Sequence, residues 1–247
     1  MRTLLIISCI IVLFWIALRF DIVPPIYWSF KSFANPYYTE NLEKEWSQKP
    51  SSFLLVKLHS IDPTRFGLAA YILGERKENR AINILIRKIL SSFTSDQMHL
   101  SASSALAQIS PEKAKEVLMS AVEKYPRSLY KPVAHKKYIN ALHILASMKD
   151  ERVYPICLQL AKSGNRLDEQ SSLNGMLYNF DNHWKEVLPL YLNYLNEKKG
   201  SQMSAITGIK YMKRPETIPI LEDFALKNPI YKREVQEAID YIKESQK

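Results

Sequence analysis

The sequence predicts an all-α protein: an α-solenoid of stacked helical hairpins preceded by a single N-terminal transmembrane helix. Three observations predict it. Small residues recur inside apolar helical stretches at Ala70, Ala105, Ala141, Gly175 and Gly208, in steps of 35, 36, 34 and 33 residues. Such a period is the mark of a repeat whose units bury their apolar faces on one another. The chain of 247 residues holds only 6 glycines, while its 13 prolines recur at particular joints, which suits helices with short connections better than a barrel or sandwich. Finally, residues 3–18 run for 16 positions without a charge.

That N-terminal run makes a helix of ~24 Å, short of the ~30 Å hydrocarbon core. The gap closes if Arg19 snorkels and Phe20, Ile22 and Val23 extend the apolar stretch to Pro24-Pro25. Trp15, Tyr27 and Trp28 stand where an interfacial aromatic belt is expected. A cleaved signal peptide is the competing reading, but no pair of small residues precedes a cut. Ile6-Ile7-Ser8-Cys9 resembles a lipoprotein box behind too short an apolar run. The expected organisation is an uncleaved signal anchor over 1–23, a connector over 24–61 and a repeat domain over 62–247. Arg2 and the amino terminus stand against Arg19 and Lys31, so flanking charge sets no orientation. With almost nothing ahead of the segment, the expectation is a single-pass protein of a bacterial inner membrane with its body outside the cytoplasm.

The connector is rich in aromatics (Tyr27, Trp28, Phe30, Phe33, Tyr37 and Tyr38) and should pack on the bilayer surface or the first repeat. Thr39 is the cap candidate for a short helix over NLEKEWSQ. Beyond it, each small residue marks a first helix, with apolar spacings of 3 and 4. The second helices follow as AINILIRKIL, KAKEVLMSAV, VYPICLQLA, EVLPLYLNYL and TIPILEDFAL. Their starts carry cap and first-turn residues, among them Ser110-Pro111-Glu112, Asp150, Asp181 and Pro215-Glu216. Pro155, Pro189 and Pro219 fall at one equivalent slot, expected in the first turn, where a missing N–H costs little. About five hairpins result, closed by a capping helix from Pro229 that holds a sixth small residue, Ala238.

Arg65-Phe-Gly-Leu-Ala69-Ala70-Tyr-Ile-Leu73-Gly74, followed by Arg80-Ala81-Ile82 and Leu85-Ile86, resembles a HEAT-type repeat of the bacterial bilin-lyase-type subtype. Thr217-Ile218-Pro219-Ile220-Leu221 resembles the second half of that unit most closely. The resemblance implies a right-handed α-solenoid of HEAT-like hairpins whose second helices line an inner surface. Repeats two to four lack an Arg equivalent to Arg65 and a counterpart of Gly74. Tetratricopeptide repeats share the period, but their Trp and Leu-Gly signature is missing.

No pattern points to catalysis. None of the five histidines pairs with a second ligand at metal-binding helical spacing, and the chain has no Gly-rich phosphate loop and no nucleophile elbow. Cys9 lies in the apolar run and Cys157 in a distant apolar helix, so no disulfide or zinc site is expected. No cofactor is therefore expected, and a lyase activity finds no residues to carry it. The net charge of +9 fits anionic lipid, an acidic partner, nucleic acid or a plain solvated surface. The richest basic stretch, Lys124 to Arg152, nominates Lys131, Lys136 and Lys137 as anion-binding residues. Trp184, Tyr191 and Tyr194 are the candidate partner surface, since aromatic anchors concentrate at binding hot spots. The expected function is a membrane-anchored, non-enzymatic scaffold for a protein partner. Lipid or nucleic-acid binding through the basic stretch is the alternative, with nucleic acid disfavoured by the membrane tether.

Overall fold

The computed structural model describes residues 37–124, 132–163, 172–173, 175–196 and 202–246. The apolar segment 3–18 and the connector up to residue 36 lie outside the described residues. Among those that are described, no helix is long and apolar enough to cross a membrane.

Every regular element described is helical. The α-helices are α1 (Tyr37–Trp46), α2 (Ser51–Lys57), α3 (Pro63–Glu75), α4 (Ile82–Leu90), α5 (Asp96–Ile109), α6 (Pro111–Lys124), α7 (Pro132–Ser147), α8 (Tyr154–Ala161), α9 (Trp184–Asn196), α10 (Gln202–Met212), α11 (Ile218–Lys227) and α12 (Lys232–Glu244). Short 3-10 turns open α4, α8, α9, α11 and α12. Where the sequence suggests one repeat domain over 62–247, the chain gathers into two compact units divided between Ala141 and Leu142.

In the N-terminal unit α3 packs on α2 and α5, and α5 packs also on α4 and α6. Its core is Phe66, Ala69, Ala70, Leu73, Leu85, Ile89, Ala102, Leu106 and Leu118, all buried. In the C-terminal unit α9 packs on α10, and α12 on α10 and α11. Val187, Tyr191, Ile209, Leu221, Val235, Ala238 and Ile242 form much of that core.

The small residues of the period are packing residues. Ala70, Ala105, Ala141 and Ala238 are buried. A side-chain carbon added at Gly208 would lie 2.0 Å from the Tyr191 ring, and one at Gly175 would lie 1.9 Å from the His143 ring. Only glycine lets these side chains lie flat on the neighbouring backbone.

Three joints share one backbone device. Lys77, Lys149 and Lys213 adopt positive φ of 51°, 54° and 54°, about two repeat periods apart. A left-handed residue just past a helix end lets the next N–H groups reach back to the last carbonyls. Lys77 N–H donates to Gly74 O and Glu78 N–H to Leu73 O, while Lys149 N–H donates to Ala146 O and Asp150 N–H to Leu145 O. At the first two joints the acid that follows then starts the 3-10 turn, whereas Arg214 stands there at the third without a side-chain cap bond. Glu78 accepts from the Arg80 backbone and guanidinium, and Asp150 accepts identically from Arg152. Hydrogen bonding to Arg80 pulls the Glu78 carboxyl down to about 2.

Two local expectations are corrected. Thr39 is the third residue of α1 rather than its cap, because the helix already begins at Tyr37. Pro155 and Pro219 do lie at the start of their helices, but Pro189 lies inside α9. The 3-10 turn Asp181–His183 launches α9 at Trp184, a turn ahead of the proline.

Candidate partner-binding surface

The described members of the basic stretch are engaged within the protein. Lys137 is 1% exposed. Its ammonium donates to the carbonyls of Ser91 and Ser92 at 3.0 and 3.2 Å, and Lys124 donates to Leu90 O. Together the two lysines satisfy the carbonyl end of α4, where cations complement the helix dipole. Burial lowers the Lys137 pKa, with Lys124 adding to the effect and Asp96 opposing it. Lys136 is exposed and pairs with Asp96 at 3.4 Å, and Arg152 pairs with Asp150 at 2.7 Å. Lys131 lies outside the described residues. Lys137 is therefore corrected from a surface cation to a helix-capping one.

The nominated aromatics also divide. Tyr191 is fully buried, and its hydroxyl donates to Leu173 O at 2.6 Å. Tyr194 is buried too. Both belong to the apolar stripe Val187, Tyr191, Tyr194 and Leu195 of α9, so they are core residues rather than a partner surface. Trp184 stays half-exposed, with the Arg214 guanidinium 5.4 Å from its ring and the Lys185 ammonium at 5.8 Å.

The surface that sequence reasoning missed lies elsewhere in the C-terminal unit. Tyr178, Tyr211 and Tyr241 each stand three residues after a small residue of the period, and the structure brings them together. The Tyr178 and Tyr211 rings are 5.1 Å apart and tilted by 31°, and Tyr211 meets Tyr241 edge-on at 5.6 Å. Aromatic pairs favour such offset and edge contacts. Lys210 holds its ammonium 5.0 Å from the Tyr241 ring and 5.8 Å from Tyr211, while Lys213 lies 5.7 Å from Tyr241. Tyr211 is 39% exposed, and neither lysine has an ion-pair partner among the described residues. The left-handed turn at Lys213 sends Lys213 towards the tyrosines and Arg214 towards Trp184. The unit thus presents cations beside flat aromatic faces, which suits carboxylates carried on an apolar segment.

One polar cluster gathers Tyr154, His183, Glu151 and Glu186. Tyr154 stacks on His183 at 3.7 Å and donates to Glu186 Oε2 at 2.7 Å, and His183 Nε2 lies 3.2 Å from Glu151 Oε2. Burial and then Glu186 push the Tyr154 phenol well above its ordinary value. The buried Cys157 thiol, pushed up to about 12 by burial, is no nucleophile. Among the described residues no group of three or more His, Cys, Asp or Glu could hold a metal ion.

No protein-family model matches this chain, and no curated protein matches it.

Proposed function

We propose that this protein is a membrane-anchored, non-enzymatic scaffold, a right-handed solenoid of HEAT-like hairpins that holds an acidic segment of a protein partner. The Tyr178–Tyr211–Tyr241 ladder with Lys210 and Lys213 is the single observation that carries the partner's chemistry. Exposed aromatic surface beside cations without counter-ions favours an acidic, partly apolar ligand over water. The repeat reading is supported by the shared joints at Lys77, Lys149 and Lys213 and by the buried small residues of the period. The anchor reading is supported by the uncharged run 3–18, which Phe20, Ile22 and Val23 extend towards the length of a membrane-spanning helix.

A photo-crosslinking side chain in place of Tyr211 should trap one discrete adduct in intact membranes. The same group in place of Asn193, exposed on α9, serves as the comparison site. Combined Lys210→Glu and Lys213→Glu substitution should remove the Tyr211 adduct, and rising salt should weaken it, because exposed charges are screened beyond about 10 Å at 0.1 M. An adduct indifferent to charge reversal, or equal capture from both sites, would contradict the proposal.

A further inference from the structure

The N-terminal unit carries a second surface with different chemistry. A cavity of about 600 Å³ opens where the turn between α4 and α5 meets the start of α3. Arg87 and Lys88 supply its charge, Ser91, Thr94 and Ser95 its hydroxyls, and no carboxylate lines it. Its rim is apolar in an unusual way: the Phe93 side chain is 100% exposed, and Ile61 beside the same cavity is 48% exposed. What the site offers is therefore an exposed apolar pair standing next to cations and hydroxyls, not a lone surface phenylalanine.

The backbone around Phe93 is held. Its N–H donates to Ser91 Oγ at 3.3 Å, the preceding carbonyls of Ser91 and Ser92 accept from Lys137, and Ser95 caps α5 through Met98 N–H. The tip is therefore presented by a braced turn. Lys88 runs along the Phe66 ring, its ammonium 5.5 Å from the centroid, and burial lowers its pKa. A half-buried cation in a cavity without acids is stabilised by an incoming anion. Pro63 and Ser95 bring the first turns of α3 and α5 to the same cavity, although Asp62 caps the first and Asp96 lies in the second, so Arg87 and Lys88 carry its positive charge.

We infer that this cavity receives the phosphate of an anionic phospholipid headgroup, with Phe93 and Ile61 inserted into the bilayer interface around it. Apolar side chains dipping beneath headgroups while neighbouring cations hold the phosphates is the usual chemistry of interfacial binding. Charge complementarity selects an anionic leaflet, and the exposed apolar pair selects a bilayer over a soluble phosphate. The inference rests on the anchor reading only for the nearness of a membrane.

The test uses the full chain with Cys9→Ser and a nitroxide on Phe93→Cys, leaving the buried Cys157 unlabelled. The vesicles are phosphatidylcholine alone or phosphatidylcholine with phosphatidylglycerol. In the phosphatidylglycerol vesicles the label should become more accessible to oxygen than to a polar nickel complex. That shift should be lost in phosphatidylcholine alone, and in both Arg87→Glu and the double variant Arg87→Glu, Lys88→Gln, with far-UV circular dichroism confirming their fold. A label that stays in water in both vesicles, or that inserts regardless of lipid charge and of the Arg87 substitution, overturns the inference. Flotation separates the two readings. Flotation with phosphatidylcholine reports the anchor, flotation with phosphatidylglycerol vesicles alone supports the cavity and refutes the anchor, and flotation with neither overturns both.

Discussion

Gly208→Ala should destabilise the C-terminal unit although alanine is the better helix former. The added methyl would lie 2.0 Å from one carbon of the Tyr191 ring and 2.3 Å from the next. Tyr191 cannot yield cheaply, being fully buried and hydrogen-bonded through its hydroxyl to Leu173 O. Overpacking of this kind costs roughly 1–3 kcal/mol or more, against a propensity gain of about 1 kcal/mol. Gly208→Trp enlarges the clash and should prevent that unit from folding. Gly67→Ala is the informative comparison: its methyl would meet only Ser101, whose hydroxyl at 3.1 Å can give way at the cost of one exposed hydrogen bond to Gln97 O. Thermal melts followed by far-UV circular dichroism and tryptophan fluorescence should show a clear loss for Gly208→Ala and little change or a gain for Gly67→Ala. Equal effects would mean that Tyr191 does not lie on Gly208.

Acid should weaken the N-terminal unit through His99. This imidazole is completely buried in α5, and burial, with Lys137 adding repulsion and Asp96 opposing, lowers its pKa to about 4. In the unfolded chain it titrates near 6.5. Between those values the unfolded state binds the proton and the folded state does not. The stability is therefore fully present above about pH 6.5 and is lost as pH falls towards 4, by about 3 kcal/mol in total. Replacing His99 with Gln removes the titration and should flatten the acid limb of a stability–pH curve. An NMR titration gives the same answer directly, since the His99 ring should remain neutral until about pH 4. A ring that titrates near 6.5, or a Gln variant with an unchanged acid limb, would contradict this account. His143 in the other unit shifts in the same direction, again chiefly by burial, so the readout must be specific to His99.

Helical periodicity made the fold class legible. Apolar spacings of 3 and 4 mark helices whatever their neighbours, and the small residues stand out because close helix contact excludes larger ones. Facing was harder to read. Val187, Tyr191, Tyr194 and Leu195 already spell a buried stripe by their spacing, yet tyrosine's polar end also suits a surface. Lys136 and Lys137 show the same problem with charge. Neighbours on a helix point about 100° apart, so one reaches solvent while the other turns inward to the carbonyls of Ser91 and Ser92. Nothing local announces that. The Tyr178–Tyr211–Tyr241 ladder was present as a register, three residues past each small position, but a ladder exists only once neighbouring helices are placed together. Phe93 lies in a five-residue turn between helices, where periodicity says nothing about exposure.

The repeat itself is most directly tested by deletion in register. Removing Ala141 to Asn174 takes out one period and puts Gly175, the equivalent of Ala141, directly after Asn140. Removing only Ala141 to Leu158 takes half a period and strands one helix without its pair. If stacked, equivalent hairpins underlie the scaffold, the full-period deletion should remain helical and melt cooperatively at a lower temperature, because each unit covers its neighbours' apolar faces. The half-period deletion should lose its cooperative transition. Equal unfolding of both, or a half-period deletion that melts as well as the full one, would show that the period does not describe how this chain packs.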